Sequence, residues 1–124
     1  YEDFPMIHKI FGYGPDTFGI ITVHNFYEEM VTLYGEKFEN VHNEYLQYLI
    51  TIGLAGLISY ITFLTVSLVR IARKAKENPI LMAVVMAIIC YAVQAVVNIS
   101  TPIVTPVMLT LLMMGLAACR GCEQ

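Results

Sequence analysis

Apolar positions are spread unevenly along this chain, and their distribution divides it near Tyr48. Between residues 48 and 69 there is no charged side chain, and between 80 and 118 there is again none. Each run reaches the roughly 18–20 residues that read as a membrane span. The second run is about twice as long as one span needs, and Asn98-Ile99-Ser100-Thr101-Pro102 interrupts it. The pattern predicts transmembrane helices over 48–69, 80–98 and 103–118. A basic loop at 70–79, a turn at 99–102 and a tail at 119–124 complete this half. Buried helices of a soluble protein are the alternative reading of such runs.

Residues 1–47 mix polar and apolar positions and read as a partly helical segment outside the membrane. Residues 1–10 suit the end of a helix begun upstream. Residues 11–19 carry Gly12, Gly14, Pro15 and Gly19, which is turn chemistry. Residues 23–34 suit a short amphipathic helix and 35–40 a loop. Asn40 is then an N-cap, and the first membrane helix starts near Val41 and runs unbroken into the bilayer.

On such a helix His42 and Gly53 differ by roughly 20° and Gly56 lies at about −40°, so the three share a face with Tyr45, Leu46, Leu49 and Tyr60. Tyr45 and Tyr48 fall where an interfacial aromatic belt is expected. Gly53 and Gly56 are three apart, not the four of the dimerising pattern, and suit close packing against a neighbouring helix.

Charge adds an orientation. Arg70, Arg73, Lys74 and Lys76 separate the first two spans with only Glu77 against them, and Arg120 follows the third. The positive-inside rule makes that side cytoplasmic. Residues 1–47, with eight acids against Lys9 and Lys37, are then extracytoplasmic. Tyr1-Glu2-Asp3-Phe4-Pro5 is no signal peptide. An external segment of this size needs earlier spans to thread it out. The expectation is therefore the C-terminal fragment of a polytopic, all-α membrane bundle.

The candidate chemistry is sparse. His8, His24 and His42 match no recognised zinc spacing, so no metal is expected. Cys90 reads as a small core residue within a span. Cys119-Arg120-Gly121-Cys122 is a lone CxxC, short of a redox or metal site. Neither Ser nor Cys occurs in residues 1–47, which excludes those nucleophiles there. The Gly12–Gly14 turn admits a phosphate cradle or a purely structural turn, and it lacks the Lys-Ser/Thr ending of the former. Asn98-Ile99-Ser100 fits a glycosylation acceptor or a turn. His42 can serve as a general base, since an imidazole titrates near neutrality. Asn43, Glu44 or a backbone carbonyl could orient its ring. A hydrogen-bonded structural histidine is the other reading.

His42-Asn43, nine residues, Gly53, two residues and Gly56 resemble the H[NSQ]-x9-GxxG signature of the O-antigen ligase family. Gly12-Tyr13-Gly14-Pro15-Asp16-Thr17-Phe18 is similar to the G-x-G-x-x-x-F turn that opens that family's large external loop. The last two spans, with a prolyl turn between them, are similar to its C-terminal helices. The resemblance implies a multi-pass glycosyltransferase of the bacterial cytoplasmic membrane. It would take a glycan from an undecaprenyl-diphosphate carrier and join it to a glycolipid, glycan or protein acceptor outside that membrane. By position, His42 is the catalytic base. Gly12, Gly14, Asn43, Gly53 and Gly56 form the structural motif. No cofactor, metal or nucleic acid is implied.

One departure bears on the donor. The family holds its diphosphate with external arginines, as neutralisation of a leaving pyrophosphate requires. Here Arg70, Arg73 and Arg120 are all on the cytoplasmic side of the expected topology. The diphosphate-holding residues are then expected upstream, and the fragment alone is expected to be inactive. A repeat-unit polymerase of the same superfamily, or a non-catalytic module such as a transporter subunit, are the alternatives.

Overall fold

A computed structural model describes residues 5–35, 42–76, 78–98, 101 and 103–121. The protein is all-α, with six helices and no strand among the described residues. It divides into two compact units, Tyr1–Ser59 with Val97–Ile99 and Tyr60–Val96 with Ser100–Gln124.

In the first unit, α1 (Met6–Phe11) starts afresh after Pro5, whose ψ of 142° is extended, and does not continue a helix from upstream. It ends on Gly12, whose amide donates to the His8 carbonyl. A tight turn follows, in which the Thr17 hydroxyl donates to the Gly14 carbonyl at 2.7 Å. Helix α2 (Phe18–Tyr34) then starts five residues earlier than the amphipathic pattern suggested. It stops at Gly35, a left-handed cap (φ 70°) whose amide donates to Val31 O. Helix α3 (Glu44–Thr51) is capped by Asn43, not Asn40: the extended Asn43 accepts from Leu46 N at 3.1 Å. Asn40 and Val41 lie outside the described residues. Both α1 and α2 pack on α3.

Helix α4 (Gly53–Ala75) is separate from α3, so the single helix running from His42 into the span is corrected to two. The break falls at Ile52 and Gly53, where Gly53 has φ 71°, a conformation that ends regular α-helix and suits glycine. With 23 residues, α4 is long and apolar enough to cross a membrane. At 1.5 Å per residue it spans about 34 Å against a hydrocarbon core of about 30 Å.

The second unit is the rest of α4 with α5 (Pro79–Gln94) and α6 (Val104–Gly121). Asn78 caps α5 by accepting from Ile80 N at 2.9 Å, and Pro79 takes the first helical position, where a missing N–H costs nothing. Helix α5 ends at Gln94, short of the expected residue 98. There Val96 N turns to Val93 O in a tighter i to i−3 bond. Thr101 Oγ1 accepts from Val104 N to start α6, and the Tyr91 hydroxyl bonds Thr105 Oγ1 at 2.9 Å.

The core of this unit is Leu64, Ile71 and Ala75 from α4, Leu81, Val85 and Ile88 from α5, and Met108 and Leu112 from α6. These positions recur at four- and three-residue steps, one stripe per helix. Gly115 extends the α6 stripe, and a Cβ there would come within 2.8 Å of Ile71 Cδ1. Outside the stripe the helices are apolar as well. Ile58, Val66, Met86, Val93, Val107 and Met114 are all exposed. Cys90 is also exposed and not a core residue. A helix without a polar face offers no pattern from which its inward side can be read.

Candidate functional site

Gly12, Gly14, Gly53 and Gly56 lie in the first unit, around the place where α1, α3 and the α3–α4 break meet, while His42 and Asn43 lie at the start of α3. Where α3 stops, its last carbonyls lack helical partners. The loop after α1 supplies them: Tyr13 N donates to Ile50 O at 3.0 Å, and Gly14 N to Thr51 O at 2.9 Å. Gly12, Tyr13 and Gly14 thus spend their amides on His8, Ile50 and Thr51. These bonds agree with the reading of residues 11–19 as a structural turn, since the amides a phosphate cradle would use at Gly12, Tyr13 and Gly14 already have backbone acceptors.

This docking needs glycine on both sides. Gly12 has φ 76° and ψ −176°, a region open essentially to glycine alone. A Cβ on it would strike the Thr51 carbonyl and lie 2.6 Å from Gly53 N. A Cβ on Gly53 would in turn strike the Ile10 carbonyl. The two backbones touch directly. Gly56 serves differently: a Cβ there would lie 2.7 Å from Ile52 Cγ1, so it makes room for the side chain at the break. His8 secures the other end of the loop. Its Nδ1 lies 3.1 Å from Gly12 O, and its ring stacks on Tyr13 with centroids 4.1 Å apart.

At the opposite end of α3, His42 sits in a bend just before the cap and is exposed. It is not on the helix, so the shared face of His42, Gly53 and Gly56 is lost twice over, at the start of α3 and at its end. Of the groups expected to orient the ring, Asn43 spends its Oδ1 on Leu46 N. The Glu44 side chain is 1% exposed, although its residue opens the helix. A carboxylate at this position complements the positive end of the helix dipole. No buried side-chain oxygen or nitrogen among the described residues lacks a hydrogen-bond partner. Beside it, partial burial raises the Tyr45 phenol above the usual tyrosine range, and the Glu44 charge adds to that.

No family model, curated protein or solved structure matches this chain.

The three histidines are not brought together. His8 holds the loop, and His24 lines an open groove of about 740 Å³ along α2 with Asp16, Ile20, Val23 and Tyr27. Among the described residues no three His, Cys, Asp or Glu side chains are placed to hold a metal. Cys119 lies on α6, while Cys122 is outside the described residues, as are Ile99, Ser100 and Pro102. Sequence reasoning missed the burial of Glu44 and the contact of Gly12 with Gly53. The first had a signal in Asn43-Glu44, a cap followed by an acid in the first turn. The second had none, because it joins positions 41 residues apart.

Proposed function

We propose that this chain is the C-terminal part of an O-antigen ligase-like glycosyltransferase in a bacterial cytoplasmic membrane, with His42 as general base. The observation that carries the reading is the meeting of the two motif segments. The Gly12–Gly14 turn and the Gly53 break, far apart in sequence, lock backbone to backbone and fix α3, whose start bears the exposed His42. A base on a braced helix start, open to a substrate, suits proton removal from an acceptor hydroxyl. In the reaction His42 takes that proton as the acceptor oxygen bonds the anomeric carbon of the glycan. The bond from that carbon to the carrier diphosphate breaks, the diphosphate leaves with the electron pair, and the imidazolium returns its proton to solvent.

The membrane setting is supported by α4, of which only 17% is buried in its most apolar stretch, and by the exposed apolar side chains on α5 and α6. We take α4, α5 and α6 as three spans, with their basic end in the cytoplasm and residues 1–47 outside. The arginines supply no external diphosphate contact, so that half of the site belongs to residues upstream of this chain.

The test is His42→Ala in the intact protein, assayed for glycan transfer in membranes. A loss of about 10²-fold or more is expected for removal of a general base, at unchanged membrane level. Wild-type transfer by the variant sinks the catalytic role. In a strain lacking the gene, carrier-linked glycan with its repeats intact indicates a ligase, and single repeats indicate a polymerase.

A further inference from the structure

In the second unit, α4 and α6 end side by side around a pocket of about 440 Å³ lined by Arg70, Arg73, Lys74, Leu116, Cys119 and Arg120. Cations near a helix C-terminus offset its negative dipole end, but that role needs no cavity. Here three guanidiniums from two helices line one concavity, and like charges gathered this way are relieved by an anion between them. Guanidinium presents a planar fork that matches phosphate oxygens in pairs. One turn back along each helix the surface turns apolar. Exposed Val66 and Val69 lie four residues before Arg70 and Arg73, and Leu116 and exposed Met113 precede Arg120 on its own face.

A charged mouth above an apolar flank is the chemistry of a phospholipid, headgroup and chain together. We infer that this pocket binds the phosphate of an anionic phospholipid of the cytoplasmic leaflet, with an acyl chain lying against Val66, Val69 and Met113. The inference rests on the membrane reading above.

The experiment is native mass spectrometry of the chain in detergent, offered equal amounts of phosphatidylglycerol and phosphatidylcholine. Retention of phosphatidylglycerol over phosphatidylcholine is expected, falling about fivefold for each arginine removed in R70Q, R73Q, R120Q and their combination. Lys76→Gln, which lies outside the pocket, is expected to leave the preference unchanged. Helicity by circular dichroism confirms that each variant is folded. Equal retention of the two lipids, a preference that survives the triple substitution, or an equal loss in K76Q overturns the assignment. Thermal stabilisation by inorganic phosphate alone as large as that by phosphatidylglycerol also overturns it, in favour of a soluble anion. Carbonate extraction of the same chain from membranes reads the membrane proposal separately. A chain released by carbonate defeats both, and a retained chain without lipid preference defeats the pocket alone.

Discussion

His42 lies just before the N-cap of α3 and outside the helix, and Asn43, by accepting from Leu46 N, fixes where that helix begins. The first turn of α3 also contains Tyr45, whose titration the fold alters. Burial and the Glu44 charge both favour the neutral phenol of Tyr45, so its folded value lies above its unfolded one. Below about pH 10 both states keep the proton and the contribution of the neutral phenol is intact. As pH rises further the unfolded chain ionises first, and stability falls until the folded phenol ionises too. As pH rises above about 10, the chain in detergent is expected to lose more stability to thermal unfolding than Tyr45→Phe. Parallel declines would remove this role from Tyr45.

The element that organises the first unit is the break between α3 and α4, and its strength is open to measurement through three glycines. Gly12→Ala and Gly53→Ala each combine a positive φ with a Cβ driven into backbone, which cannot yield as a side-chain tip can. Gly35→Ala shares the positive φ (70°) but meets nothing within 4 Å. The first two are expected to cost about 3 kcal/mol or more and the third about 1 kcal/mol, read by denaturant unfolding followed by circular dichroism. Equal costs at all three would mean that the loop does not lock the break. The helices of the second unit were legible because charge-free runs are a local signal, although the Asn78 cap and Pro79 start of α5 were not read from the sequence. The break was not. Gly53 in Gly53-Leu54-Ala55-Gly56 reads equally as a packing glycine, and its actual partner, the turn at Gly12, is distant in sequence. The expected cap was Asn40; the cap of α3 is Asn43, and the acid that follows it, Glu44, is buried in the first turn.

For the whole molecule, each proposal depends on a membrane side: His42 outside for one, the basic pocket on the cytoplasmic side for the other. The protein carries its own reporter in Cys119, which lines the pocket beside Arg73 and Arg120. In a background of Cys90→Ser and Cys122→Ser, Cys119 is the only thiol of the chain. A membrane-impermeant maleimide applied to intact cells is expected to leave it unmodified, and to label it once the membrane is permeabilised. Adding His24→Cys on the exposed face of α2 supplies the opposite control, expected to react from outside before permeabilisation. Both are graded by accessibility within the fold, since Cys119 is only half-buried and a reagent that reaches its compartment can reach its sulfur. Labelling of Cys119 in intact cells would put the arginine pocket outside, and a His24→Cys thiol that stays unlabelled there would remove the segment bearing His42 from any extracytoplasmic acceptor. The arginines would then stand on the side where a diphosphate donor is handled, and the division of the site between this chain and residues upstream would have to be drawn again.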